Sequence, residues 1–595
     1  MDLRLRTYRF LCTTVLLVFC GTLVLAAPQK RVAGTQKQSE VASSQAASAY
    51  QQGVASRQAG DLVGAQSKLA AAVKVNPRDS AARTALGWVL MVQGQLDEAV
   101  KQLREAVKLT PKLEQAHSYL GESLRLTGAD REAEDEFRVA LKLNGADPDA
   151  HRGLARVFAG RNEIDNAISE MRRASELAPQ RPELHDDLGT LLAQKGDFPA
   201  AIEQFKQSIR LDPRSASAQF HYGVALLKQS EAESGITALK AATALQGTPR
   251  EAYYYLGIAL EEAGDTAGAA KALDQFVTLK PDATEALRRL GLILQRMGKP
   301  QLAQERFAQA VKLTPDDPEA HNNLALSELQ SSQADEAAKE FNIAIKLRPE
   351  DVSFRENLAI ALLQKSDFDG SIAELRKALT VATNRASLHY NLGVALKLKD
   401  SLDDAVTELK QAIALDPSLA DAHYTLGVIY WQRGEFPQAA DQLQAAISAK
   451  SNYAEAHYLL GSVQKQMEKF PDAEKSLREA IRLQPDLLGA HTNLAAVLQQ
   501  MGDSAGAENE RKIASAISKT TINRQSAVFN TNSGIKLLNS EDVDGAISQF
   551  QSAIKLSPDY APAHYYLGRA FQKKGMATEA RAELQRASEL DPALH

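Results

Sequence analysis

Cysteine and aromatic side chains are scarce: of 595 residues two are Cys and two are Trp, and Phe, Trp and Tyr together make 6%. Both thiols, Cys12 and Cys20, fall within the first 27 residues. Once that stretch is set aside, neither a disulfide framework nor a cysteine-held metal is available, and the fold must rest on packing. Charge of one sign is also lacking, with 69 Lys and Arg against 74 Asp and Glu, a formal net of -5. No basic field exists to hold a polyanion, so a nucleic-acid partner is not expected. Missing too are an H-E-x-x-H pair, a phosphate-binding lysine loop, a dinucleotide-binding glycine fingerprint and a paired-cysteine metal site. The expectation is a protein that is not an enzyme and carries no cofactor and no metal.

At the start, Arg4, Arg6 and Arg9 precede an apolar run from Phe10 to Ala27 that ends in Val24-Leu25-Ala26-Ala27, small residues suited to a signal peptidase. Residues 1–27 therefore read as an export signal of bacterial type or, uncleaved, as an N-terminal anchor in the inner membrane. On either reading the remainder lies outside the cytoplasm, periplasmic or secreted. Phe19 before Cys20 argues against a lipoprotein. The leader sets Asp2 against three arginines, so its removal takes the formal charge from -5 to -7. Residues 28–45, rich in Gln, Ser, Lys and Ala, read as a flexible linker.

The rest is periodic. Ala386 to Leu419 reads ASLHYNLGVALKLKDSLDDAVTELKQAIALDPSL, and this 34-residue unit recurs in register. Leu388, Leu392, Val394 and Leu396 form one helical stripe, and after a polar turn Ala405, Leu409, Ala412 and Ile413 form a second. Gly393 opposite Ala405 and Ala412 lets the two helices approach closely, and Pro417 stops the second. The residue at the place of Gly393 is Gly or Ala in every unit, and that at the place of Ala405 is Ala except for Gly235 and Ser371. Fourteen units fill Ala46 to Thr521, and after five extra residues, Ile522 to Ser526, two more fill Ala527 to Leu594. The unit resembles the tetratricopeptide repeat in its length, its Leu-Gly pair, its two alanines and its closing proline. That resemblance implies an all-α, right-handed superhelical solenoid of about 16 helix-turn-helix repeats. Ala507 to Ser526, polar and without a proline, reads as either an overlong helix or a hinge. No polar capping helix follows the last unit, so its apolar end is expected to dock a partner or a second copy, giving a homodimer.

Nine histidines share the fourth position of their units: His117, His151, His185, His321, His389, His423, His457, His491 and His564. Neighbours in such a ladder stand about 10 Å apart, the spacing of packed helices, which is too far for chelation. They read as packing residues. Gly502-Asp503-Ser504-Ala505-Gly506 matches a serine-hydrolase elbow but follows a helix and not a strand.

The resemblance further implies that the first helices line a concave groove and present positions 5, 6 and 9 of each unit to a protein or peptide ligand. Asn323, Asn357, Asn391, Asn493 and Asn532 occupy position 6 and partly resemble the asparagine ladder of O-linked N-acetylglucosamine transferases, which clamps a peptide backbone. Thr425 and Leu459 interrupt it. Tyr390, Tyr424, Tyr458 and Tyr565 form a row at position 5, with Trp431 beyond Tyr424. Arg288, Arg289 and Arg296 form a basic cluster suited to an acidic segment. The expected function is a non-catalytic interaction scaffold; the alternatives are a component of an envelope assembly for polysaccharide export or pilus biogenesis, or a substrate-recruiting arm for a separate glycosyltransferase.

Overall fold

The computed structural model describes residues 33–591 and 594, which form 31 helices with no strand among the described residues. The leader lies outside them. Among the described residues no helix is long and apolar enough to cross a membrane. The chain divides at Lys299/Pro300 into two units, each an all-α stack of helical hairpins.

The hairpin follows from its residues. In the repeat that begins at Ala386, helices Ala386–Leu398 and Leu402–Leu415 bury Leu388, Leu392, Ala395 and Leu396 against Ala405, Leu409 and Ala412. Ala395 takes the core place expected of Val394, which is only half-buried. A Cβ at Gly393 would stand 2.7 Å from Leu409 Cγ, so only hydrogen fits where the helices cross. Between the helices one residue adopts positive φ, and this happens once in each of the sixteen repeats. Nine of these turns use glycine and seven use Asn162, Ser230, Ser332, Ser366, Asp400, Glu468 or Glu541. Left-handed backbone costs a residue with a Cβ about 1 kcal/mol. Glu468 is exposed at φ 59°, so Glu468→Gly is expected to stabilise its hairpin by about 0.5–1 kcal/mol despite glycine's greater unfolded-state entropy, read as slower hydrogen exchange of helices Ala454–Gln466 and Phe470–Leu483.

Two stretches depart from the simple period. The helix Ala33–Gln58 starts ahead of the first repeat, so the chain is already helical over most of the stretch expected to be a flexible linker. Its Gln, Ala, Lys and Glu are good helix formers, and beyond Gly34 no Gly or Pro interrupts them until Gly53. Ile522 to Ser526 lie inside one unbroken helix, Ser504–Asn539, of 36 residues. The overlong helix is therefore the alternative realised: the second helix of the fourteenth repeat and the first of the fifteenth are one rod. Where they fuse, Ile522 and Phe529 are exposed.

Candidate functional site

Positions 5 and 6 of the first helices meet across several pairs of successive repeats, where the residue at position 5 touches the residue 35 places on. In the unit ending at Lys299, Arg152 Nε donates to Asp187 Oδ2 at 2.7 Å, and Arg156 Nη2 reaches the same oxygen at 3.0 Å. His221 Nδ1 lies 2.8 Å from Asp186 Oδ1, and the Phe220 and Tyr255 rings are 5.9 Å apart. In the unit beginning at Pro300, Asn357 Nδ2 donates to Asn322 Oδ1 at 2.9 Å and Asn391 Nδ2 to Glu356 Oε1 at 3.0 Å. These rungs vary in chemistry but keep one register.

Electrostatics follow from the pairing. Burial pushes the Asp187 carboxyl up, but the Arg156 and Arg152 guanidiniums outweigh it and hold the group below the usual carboxylate range. Burial pushes the His221 ring down, and Asp186 more than reverses it. Ser217, His221 and Asp186 lie together, yet Ser217 Oγ and Asp186 both face Nδ1 of the ring, at 3.5 and 2.8 Å. A hydrolytic triad needs the hydroxyl and the acid on opposite ring nitrogens, so this trio is a rung and not a nucleophile.

The residues expected to bind a ligand are distributed unevenly. Asn357 and Asn391 sit on rungs, each using one amide N–H on its neighbour. Asn493 donates to Ser462 and accepts from Lys465 Nζ. Asn323 is half-buried, and Asn532 is exposed on the long helix. Tyr390 and Tyr424 are half-buried, and burial raises the pKa of both phenols. The Tyr424 ring lies 5.0 Å from Tyr453, whose hydroxyl donates to Asp421. Tyr458 covers Gly489, where a Cβ would meet its hydroxyl at 2.7 Å. Trp431 is 40% exposed, and Tyr565 accepts from Arg569. Arg288, Arg289 and Arg296 do come together, but on Glu285 and Glu261: Arg288 grips Glu285 twice, Arg289 bonds both acids and Arg296 bonds Glu261. Three guanidiniums on two carboxylates leave a net of one positive charge, far less than an open cluster would offer.

Sequence reasoning passed over an aromatic shelf in which Phe220, Tyr255, Tyr254 and Phe276 touch in series at 5.9, 5.9 and 5.1 Å. Its signal was the strings Phe220-His221-Tyr222 and Tyr253-Tyr254-Tyr255, at positions 5–7 and 4–6 of successive units. It also passed over what the histidines hold. In His117, His151, His321, His389, His491 and His564, Nδ1 lies 2.5–2.6 Å from a glutamate nineteen residues on. Nε2 lies 2.9–3.3 Å from the backbone carbonyl six residues back. Carbonyl and carboxylate oxygens only accept, so each pin is complete only when both ring nitrogens carry hydrogen. His185 and His423 have Gln204 and Gln442 instead, and His457 keeps only the carbonyl of Ser451. The hydrogen bond to Glu170 raises the pKa of His151 above its ordinary value. Its contribution to stability is therefore full below the ordinary histidine range and is lost as pH climbs through the raised value.

A tetratricopeptide repeat model matches residues 50–114, 84–149, 131–182, 187–246, 227–284, 288–351 and 322–387. The chain belongs to the tetratricopeptide repeat family. Two further models of that family match the tetratricopeptide units at 398–434, 429–468 and 537–575, and at 454–487 and 561–594. No curated protein matches the chain. Solved structures similar to this tetratricopeptide chain include yeast Tom70, 16% identical over 78% of this chain and 99% of that one with a TM-score of 0.34. The APC/C hetero-tetramer Cut9-Hcn1 is 14% identical over 78% and 98%, with a TM-score of 0.34. YrrB, described as a TPR protein with an unusual peptide-binding site, is 22% identical over 31% and 96%, with a TM-score of 0.27. Tetratricopeptide repeats bind protein or peptide partners, and this chain is built as such an interaction scaffold.

Proposed function

We propose that the chain is a non-catalytic scaffold that holds a protein or an extended peptide against its first helices, outside the cytoplasm. The observation that carries this reading is the amide-and-tyrosine face from Asn323 to Trp431. Asn357 and Asn391 each give one N–H to a rung. A carboxamide has a second N–H and a carbonyl oxygen, and these can pair with a ligand's backbone whatever its sequence. Rungs fix the amide planes in advance, which lowers the ordering cost of binding. Beside them, half-exposed Trp431 and the Tyr390 and Tyr424 rings supply apolar contact with a polar edge.

A photo-crosslinking residue placed at exposed Ile360, on a first helix, is expected to trap the partner, while one at exposed Val63, on a second helix, does not. With the trapped partner in hand, the variant Asn323→Ala, Asn357→Ala, Asn391→Ala should bind about 10–100-fold more weakly at unchanged helicity, at about 1 kcal/mol for each lost hydrogen bond. Unchanged affinity would remove the groove reading. Export is supported by Arg4, Arg6 and Arg9 ahead of the apolar run to Ala27, and a phosphatase reporter fused after Gln45, active only beyond the inner membrane, tests it. A transferase as the trapped partner would make the chain a recruiting arm, and a polysaccharide synthase or secretin would make it an envelope component.

A further inference from the structure

One buried carboxyl breaks the core pattern of the repeat that begins at Pro318. Glu328 is 7% exposed and stands where corresponding positions carry Leu90, Leu124, Leu294, Leu362 and Leu396. Two other repeats have a polar residue at that place, and in both the residue twelve positions on satisfies it. Lys68 Nζ donates to Ser56 Oγ at 2.8 Å, and Ser476 Oγ donates to Gln464 Oε1 at 2.8 Å. Twelve positions after Glu328 comes Glu340, a second acceptor, already taken by His321. Glu328 Oε2 accordingly has no hydrogen-bond partner.

We propose that the hairpin formed by Pro318–Gln330 and Ala334–Leu347 is a pH-operated joint, packed while Glu328 keeps its proton and loosened once it ionises against Glu340. A buried carboxylate with one oxygen left without a donor costs several kcal/mol, whereas the protonated acid brings a hydrogen to that oxygen. The groups acting on it agree. Burial, then Glu340 and Glu336 on the second helix, push its pKa up to about 7, while Lys339 of that helix and the Gln304 amide of helix Pro300–Leu313 oppose them. A carboxyl raised in the folded state stabilises fully below its unfolded value, and that contribution is lost as pH rises toward 7. The first helix of this joint carries Asn322, which holds Asn357. On the proposed groove reading, alkaline pH would therefore loosen the amide face as well.

Hydrogen exchange of the full chain across pH 5.5–8.5, corrected for intrinsic rates, tests the joint without any ligand. The opening equilibrium of the two helices should rise about tenfold from pH 6 to pH 8 beyond that of helices Glu114–Leu126 and Asp130–Leu143, which have the same kind of pin but Leu124 in place of the acid. Glu328→Leu should remove the excess, and Glu328→Gln, closer in shape, should remove it too. Equal pH dependence in the two hairpins, or an excess that persists in Glu328→Leu, would overturn the proposal. Either outcome leaves the groove reading to its own test.

Discussion

Replacing Phe137 with alanine is expected to destabilise its part of the stack by about 3–5 kcal/mol, the range for deleting a buried aromatic ring. The ring is 1% exposed and lies between two glycines of successive first helices. A Cβ at Gly121 would stand 2.9 Å from it, and one at Gly153 would stand 2.2 Å from Cζ. Without the ring, two helix crossings lose their filler at once, and backbone held by neighbouring repeats can close the void only in part. The converse change, Gly153→Ala, should also destabilise, because its methyl group and Cζ cannot share the space. Combined with Phe137→Leu, however, Gly153→Ala should be much better tolerated, since Leu409 packs at the corresponding place while Thr425 fills the place of Gly153. A double-mutant cycle on exchange of helices Asp130–Leu143 and Pro148–Gly160 should give a coupling of about 1–3 kcal/mol. Simple additivity would show that ring and glycine do not fit one another as described. Stacked repeats open locally, so a local reading is more informative than one global midpoint.

The second large effect runs toward greater stability. Glu328→Leu restores the apolar residue found at corresponding positions, and its benefit should depend on pH. With the folded-state value at about 7 against an ordinary 4.5, the proton held in the fold disfavours ionisation by roughly 3 kcal/mol. The variant should therefore gain about 3 kcal/mol more at pH 8 than at pH 4, where the wild-type acid is neutral in both states. Urea unfolding followed by the fluorescence of Trp431, which lies in the same unit, would read this as a midpoint shift that grows with pH. A shift of equal size at both ends of the range would show that only cavity shape, and not the proton, distinguishes Glu328 from leucine.

The hairpins were legible in the sequence because their rule is steric and holds everywhere: a small residue at the place of Gly393 and another at the place of Ala405. Side-chain choice elsewhere in the unit can vary without hiding it. The rungs were not legible, because what is constant there is a spacing of 35 residues and not a residue type. Arg152 with Asp187, Phe220 with Tyr255 and Asn322 with Asn357 share no chemistry, so position 6 read alone suggests a ladder of asparagines where the structure has pairs. For the same reason the arginines from Arg288 to Arg296 looked open, since Glu285 and Glu261 come from another position and, in the case of Glu261, from the preceding repeat. The spacing of the histidines spoke only against a shared metal. Their glutamates, nineteen residues on, could have been found by asking what each ring's nitrogens required. Glu328 was visible as an acid at a leucine position, but the unpartnered state of its Oε2 depends on what stands twelve residues later.

The helix Ser504–Asn539 imposes a phase relation on the hairpins C-terminal to it. At 1.5 Å per residue its 36 residues make a rod of about 54 Å. Lengthening a turn such as Lys399-Asp400-Ser401 by one residue can be absorbed by loop backbone, leaving later hairpins where they were. One residue added within the rod has no slack to enter, and must swing the final two hairpins by about 100° around its axis and advance them by about 1.5 Å. The orientation of the last pair is thus set by the arithmetic of a single helix, which makes insertion and deletion there a way to re-aim that end without altering any surface it presents.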